Sequence, residues 1–132
     1  MLNFFRENKW QITVLTLIIV ILYSFGISGP LFWDDESFIL ENASVHTFTW
    51  SNISYIFTHS AISGSGLSSN YYRPLPQFTF LLNYVTTGTN PIPFHVVNDL
   101  LHLINGILIY YLIFRWFKNK RIAFLTSLLF LI

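Results

Sequence analysis

Apolar and polar residues follow one another in long blocks, and three of the apolar blocks suit membrane-spanning helices. The first covers residues 10–31, contains no charged residue, and is bracketed by Trp10 and Trp33. A helix of about 22 residues is about 33 Å long, which is enough to cross the hydrocarbon core of a bilayer. The second block covers residues 94–117, and the third covers residues 122–132. This pattern predicts an all-α protein with multi-pass transmembrane helices.

The first and third blocks each have a second interpretation. The basic start, the apolar run and the small residues Ser28-Gly29 also fit a cleaved signal peptide, although the run is long for one. The third block covers only about half a bilayer. We therefore expect residues 1–132 to be the N-terminal part of a larger membrane domain, or a truncated gene product, inactive by itself.

Between the first two blocks, residues 32–93 are polar and aromatic and contain no spanning segment. Apolar residues recur at helical spacing from Trp50 to Phe57, behind Thr49, which can cap a helix. This spacing predicts a short amphipathic helix on a membrane surface. A second short helix is predicted for residues 77–85. The Ser/Gly-rich residues 60–70 predict a flexible loop.

The basic residues predict the orientation of the chain in the membrane. Arg6 and Lys9 precede the first block, and a basic cluster follows the second, so both groups lie on one side after two crossings. By the positive-inside rule that side is cytoplasmic. Residues 32–93 then form a long first extracytoplasmic loop. We expect a multi-pass protein of the cell (inner) membrane with a cytoplasmic N-terminus, or of the endoplasmic reticulum membrane in a eukaryote.

Composition supports the membrane class and excludes others. The chain is 53% hydrophobic and only 10% charged, whereas soluble domains carry about 25% charged residues. It contains no cysteine, which excludes disulfides and thiolate metal sites. Its net charge is +1 and no basic run interleaves with aromatic residues, so we expect no nucleic acid partner.

Two features of the loop could carry chemistry. Asp34 and Asp35 follow the first block directly, where a carboxylate can act as a general base or hold a divalent cation. The simpler interpretation is a solvated helix end. Arg73 is the one strong base between residues 32 and 93, and its planar guanidinium suits a phosphate. It could equally pair with an acid of the same loop.

The second apolar block carries a polar stripe at helical spacing, formed by His95, Asn98, His102 and Asn105, with Asp99 beside it. Such groups on a spanning helix should face protein or a cavity, and hydrogen bonding between helices is their commonest use. A metal site built from His95, Asp99 and His102 is conceivable, but no spacing signature selects it.

The order of motifs resembles the front of the C-type membrane glycosyltransferases, and above all the transmembrane and tetratricopeptide-repeat O-mannosyltransferases and their bacterial relatives. The resemblance covers nearly the whole chain. It rests on the following motifs in this order: the apolar first block, Trp33-Asp34-Asp35, the amphipathic stretch 50–59, Tyr72-Arg73-Pro74-Leu75, Asn90-Pro91, Phe94-His95-Val96-Val97-Asn98 and Leu101-His102.

The resemblance implies an enzyme that transfers a sugar, with inversion, from a polyprenyl-phosphate donor to a hydroxyl of a protein or glycan acceptor outside the cytoplasm. It implies that Asp34 or Asp35 is the catalytic base. Arg73, by its charge and position, is our candidate for the cation near the leaving phosphate. We include Tyr72, Glu36, His95 and His102 among the candidate substrate-binding residues, and the resemblance leaves a divalent cation open as a cofactor.

A function from another class also fits the pattern. The chain could be a small non-catalytic membrane subunit that uses the polar stripe to dock against other helices. Docking needs His95, Asn98 and His102 but neither Asp34 nor Asp35, so the acid pair distinguishes the two hypotheses.

Overall fold

The computed structural model describes residues 2–132, with side chains from residue 4 onward, and all of the regular secondary structure that it describes is helical. No β-strand occurs in the part of the chain that it describes, which confirms the all-α prediction. Short π-helical or 3₁₀ turns occur at Glu36–Leu40, Ala43–Val45 and Ser63–Ser65. The α-helices are α1 (Leu2–Glu7), α2 (Lys9–Ser24), α3 (Trp50–Thr58), α4 (Pro74–Thr87), α5 (Pro91–Phe117) and α6 (Lys120–Leu131).

The chain forms two compact units. One contains the residues up to Ile27 together with Val96–Ile132, and we call it the helical unit. The other contains Ser28–His95, and we call it the loop unit. Each unit has its own apolar cluster.

The apolar helices have different lengths from those predicted. Among the described residues, α5 is the one helix that is long and apolar enough to cross a membrane. The first apolar block was predicted to be helical over residues 10–31, but α2 has 16 residues and ends at Ser24. There the Ser24 hydroxyl donates to Ile21 O, and Gly26 N donates to Tyr23 O in a tighter turn. The chain thus leaves the helix before it reaches Gly29-Pro30.

The helical unit is organised around a buried pair of polar side chains. The Tyr110 hydroxyl on α5 donates to Asn8 Oδ1 at 2.8 Å, and both residues are fully buried. Asn8 Nδ2 in turn donates to Phe4 O at 2.8 Å. Because buried polar groups are costly unless they are hydrogen-bonded, this pair specifies how α5 packs against the junction of α1 and α2.

Helices α5 and α6 approach closely at a glycine. The Ser127 hydroxyl donates to Gly106 O at 2.7 Å. A Cβ built on Gly106 would lie 2.5 to 2.8 Å from the side chain of Leu131, which is itself fully buried. Small residues at such contacts are a common means of packing helices in membranes.

In the loop unit, both predicted short helices are present. Helix α3 begins behind Thr49, whose hydroxyl oxygen accepts from Asn52 N at 3.2 Å, as the capping pattern predicts. Helix α4 runs from Pro74 to Thr87 and so extends beyond the predicted residues 77–85 at both ends. Proline is well suited to the first turn of a helix, where a backbone N–H would have no helical partner.

The loop unit is held together by the side chain of Asn42, which is fully buried. Asn42 Nδ2 donates to Phe38 O at 3.3 Å, Ala61 O at 2.8 Å and Gln77 Oε1 at 3.1 Å. Its Oδ1 accepts from the backbone and the hydroxyl of Ser44. Asn42-Ala-Ser44 also matches the acceptor pattern for N-glycosylation, but this amide is inaccessible in the folded chain.

We predict that Asn42→Ala destabilises the protein by about 2–4 kcal/mol, because it removes five hydrogen bonds and leaves their buried partners unpaired. Thermal or denaturant unfolding in detergent micelles measures the change. The control is Asn70→Ala at an exposed position, which should change the free energy of unfolding by less than about 0.5 kcal/mol. Equal effects of the two substitutions would contradict the role of Asn42.

We also predict that Gly106→Val destabilises the helical unit by about 1–3 kcal/mol, because the added atoms overlap the buried Leu131 side chain. The same unfolding measurement checks it. Gly26→Ala is the matched control, since the nearest atom to its added Cβ is 3.8 Å away. A Gly106→Val protein as stable as the wild type would show that the two helices are not in close contact.

Candidate functional site

The loop unit contains a cavity of about 210 Å³ that joins residues far apart in the sequence. Its wall includes the carboxylate-bearing Asp34 and the cationic Arg73. The full set of lining residues is Asp34, Phe38, Arg73, Pro76, Gln77 and Phe80. Drug-sized ligands occupy pockets of about 300–1,000 Å³. The cavity therefore suits a small charged group rather than a whole lipid-linked sugar.

The neighbouring residues Asp34 and Asp35 make different contacts in the turn before the cavity. Asp35 Oδ2 accepts from Phe32 N at 3.1 Å, and Asp35 N donates to Phe32 O at 3.2 Å. These bonds close a turn in which Trp33 has a φ of 60°, a left-handed conformation that costs a non-glycine residue about 1–3 kcal/mol. Asp34 is exposed and lines the cavity. The carboxylate of Asp35 thus supports the backbone, while that of Asp34 belongs to the cavity.

Arg73 is positioned by its neighbours at the start of α4. Its guanidinium carbon lies 5.1 Å from the centroid of the Tyr71 ring, which is within the range of a cation–π contact. Pro74 follows it and begins the helix, and this restricts the backbone that presents Arg73. The cation stays exposed at the edge of the cavity.

Gln77 is a cavity residue that the sequence did not single out. It is 2% exposed, and its Nε2 has no hydrogen-bond partner in the structure. Its orientation follows from Asn42, whose Nδ2 faces the backbone carbonyls of Phe38 and Ala61 and so must be a donor. The Gln77 atom that meets Asn42 Nδ2 must therefore be the acceptor Oε1. An unpaired buried donor costs about 1–3 kcal/mol, and such a group calls for an explanation.

A weak sequence signal for Gln77 existed. It follows Arg73 by four residues, which is the spacing that places two side chains on one face of a helix. Glutamine is common on the polar faces of short helices, however, and only the packing of Asn42 shows that this amide is buried and half-satisfied.

Other predicted site residues do not line this cavity. The Tyr72 hydroxyl donates to Phe57 O at 2.8 Å, at the end of α3. Glu36 is exposed where the π-helical turn begins. His95 Nε2 donates to Gly29 O at 3.0 Å, because a carbonyl oxygen can only accept. All three lie elsewhere in the loop unit.

His102 belongs to the helical unit. Its ring centroid lies 5.7 Å from that of Tyr23 and 4.9 Å from that of Phe130. Within residues 2–132, no three His, Asp or Glu side chains are grouped so that they could hold a metal ion. The metal site considered from His95, Asp99 and His102 is therefore not assembled.

A second, larger cavity of the loop unit has no charged group. It has a volume of about 550 Å³, and its lining residues are Ser28, Pro30, Leu31, Leu40, Thr89 and Pro91. Without an acid, a base or a cation, that cavity lacks the groups for acid–base chemistry. The smaller cavity, which combines a carboxylate, a guanidinium and a free amide donor, is the candidate site.

The chain is similar to several proteins named protein O-mannosyl-transferase. It is 38% identical to human TMTC1 over 116 residues, which are 82% of this chain and 13% of that protein. It is 28% identical to mouse TMTC3 over 127 residues, which cover 93% of the chain and 13% of the relative. It is 34% identical to human TMTC4 over 103 residues, which cover 70% of the chain and again 13% of the relative.

The chain thus spans about one eighth of the length of these relatives. No protein-family model and no solved structure matches it. The similarity to three different TMTC proteins extends over most of the chain. The chain belongs to the family of TMTC protein O-mannosyltransferases, which are C-type membrane glycosyltransferases.

Proposed function

We propose that the chain is part of an enzyme that transfers mannose from a polyprenyl-phosphate donor to a hydroxyl group of a protein outside the cytoplasm. The observation that carries this proposal is the cavity shared by Asp34 and Arg73. The names of the relatives supply the sugar and the acceptor class. The small volume of the cavity is compatible with the phosphate and the reacting end of the donor, while the polyprenyl chain stays in the bilayer.

The proposed reaction is a single displacement. The acceptor oxygen attacks the anomeric carbon while the bond from that carbon to the phosphate oxygen breaks, which inverts the configuration. The acceptor proton passes to the Asp34 carboxylate, which acts as general base. The bonding electron pair leaves with the phosphate, and the Arg73 guanidinium stabilises its increased negative charge. Fixing both groups around one small cavity reduces the entropic cost of bringing the reactants together.

Asp34 is a better candidate for the base than Asp35. A general base needs a carboxylate oxygen within reach of the acceptor. The Asp35 carboxylate accepts from the backbone of its own turn, whereas Asp34 lines the cavity. We assign Asp35 a positioning role, because its bonds hold Trp33 in the left-handed conformation that directly precedes Asp34.

The same proposal includes a membrane location. Helix α5 is apolar over 27 residues, and α2 is a shorter apolar helix that begins at Lys9, close to Arg6. We propose a multi-pass topology with a cytoplasmic N-terminus and an extracytoplasmic loop unit, because the basic residues cluster beside the ends of α2 and α5. This orientation would present Asp34 to acceptors outside the cytoplasm.

The alternative function, docking against another membrane helix, is favoured by one observation. Asn98 and Asn105 are exposed on α5, whose other exposed side chains are mainly apolar. Polar groups in such surroundings commonly bond to a neighbouring helix. Docking would not require the acid pair, so the substitutions of Asp34 and Asp35 that follow also separate the two functions.

We predict that Asp34→Asn lowers kcat for mannosyl transfer by about 10²–10⁴-fold, the usual contribution of a general base. Asp35→Asn should keep most of the activity, because its side-chain oxygen can still accept from Phe32 N. Transfer of radiolabelled mannose from its polyprenyl phosphate to an acceptor peptide, in membranes that contain the complete gene product, measures both. The reverse pattern, with Asp35→Asn inactive and Asp34→Asn active, would overturn the assignment.

The topology is testable because the chain contains no cysteine, so a single introduced cysteine reports one position. We predict that Ser68→Cys reacts with a membrane-impermeant maleimide in intact cells or sealed vesicles of native orientation. Lys118→Cys should react only after the membrane is permeabilised. Both positions are exposed in the structure. Labelling of Lys118→Cys alone in sealed membranes would show the opposite orientation.

A further inference from the structure

Gln77 lines the candidate site and has a buried side-chain donor without an acceptor. The side chain lines the cavity with Asp34 and Arg73, yet it is almost fully buried. Asn42 Nδ2 donates to Gln77 Oε1. The backbone carbonyls that also accept from Asn42 Nδ2 fix the Asn42 amide, and this prevents the Gln77 amide from turning over. The Nε2 donor is thus held in one orientation, and no protein atom accepts from it.

The groups around this donor indicate the charge of its ligand. An N–H donor requires an acceptor, and Arg73 at the same cavity favours a negatively charged one. Phosphate oxygens are acceptors only, and they commonly bind to fixed N–H donors and guanidinium groups together. Asp34 repels any anion, so the attraction for a phosphate comes from Arg73 and the Nε2 donor.

We propose that Gln77 Nε2 donates a hydrogen bond to a phosphate oxygen of the polyprenyl-phosphate donor, and that Gln77 and Arg73 together form the phosphate subsite. This inference rests on the proposed function. Arg73 supplies the charge on a flexible side chain at the edge of the cavity. Gln77 supplies a rigid donor, because the Asn42 network has already fixed it before the ligand arrives. Gln77 is therefore a substrate-contacting residue that sets where the phosphate sits.

Asn83 offers a matched comparison within the same helix. It is also buried in α4, and its Nδ2 also has no hydrogen-bond partner in the structure. Asn83 does not line the cavity, however. If an unpaired buried amide were merely a cost of packing, the two residues would respond alike to a phosphate ligand.

The experiment follows the side-chain amide of Gln77 directly by NMR. The chain contains two glutamines, Gln11 in α2 and Gln77 in α4, so ¹⁵N-glutamine labelling gives two side-chain NH₂ groups, each seen as one pair of peaks at a common nitrogen shift. Citronellyl phosphate, a short polyprenyl phosphate, is titrated into the chain in detergent micelles. We expect the Gln77 signal to shift while the Gln11 signal stays, and mannose alone to shift neither.

Variants then test the contribution to affinity. Gln77→Glu keeps an oxygen for Asn42 but replaces the donor by an acceptor, so the affinity for citronellyl phosphate should fall about 10- to 100-fold. Asn83→Asp should change it less than about twofold. Unchanged unfolding temperatures of both variants show that the comparison concerns binding. The wild-type titration needs no variant and stands even if Gln77→Glu fails to fold.

Other outcomes separate this inference from the proposed function. If Gln77→Glu binds citronellyl phosphate as tightly as the wild type, and the Gln77 signal of the wild type does not shift, the inference is overturned and the Arg73 proposal stays intact. Normal binding by Arg73→Gln with loss in Gln77→Glu would overturn the role of Arg73 alone. A Gln77 shift with mannose alone would assign the donor to a sugar hydroxyl instead. Equal affinity for inorganic phosphate would overturn the lipid-linked assignment, and no binding at all would overturn both proposals.

Discussion

The buried side-chain amide of Asn42 is the interaction on which the loop unit depends. This unit has a small apolar cluster formed by Val45, Ile56 and Leu81. Burial of so few side chains gives limited stability to a segment with long irregular stretches. The Asn42 amide connects three of these stretches by bonding to Phe38, Ala61 and Gln77. A polar network therefore takes over much of the role that an apolar core has in a larger domain.

This network has a consequence for the chemistry of the site. Because the carbonyls of Phe38 and Ala61 can only accept, they determine which atom of Asn42 faces Gln77, and Asn42 in turn determines which atom of Gln77 is left over. The backbone carbonyls of Phe38 and Ala61 thus set the orientation of the free Gln77 donor, although they contact Asn42 and not Gln77. In a pre-organised site, the cost of ordering a group is met during folding, so a ligand gains more from each bond.

The helical unit is stabilised by a different combination of interactions. Its contacts combine an apolar cluster with a few buried hydrogen bonds, such as those from Tyr110 to Asn8 and from Ser127 to Gly106. Lipid surroundings weaken the hydrophobic drive to pack helices together, so close approach at small residues and buried hydrogen bonds carry more of the specificity. In the proposed membrane topology, the helical unit is the anchor and the loop unit carries the candidate site.

The sequence by itself determined the helical class, the capped amphipathic helix and the family, because these depend on local periodicity, on capping residues and on the order of motifs. It also selected Asp34, Asp35 and Arg73, because charged side chains stand out in a chain this apolar, but it did not distinguish the two aspartates. Tertiary structure decided the rest. It joined Asp34 and Arg73 in one cavity and assigned Asp35 to a backbone turn. It also revealed Gln77, whose free donor depends on contacts between distant segments that no local pattern encodes.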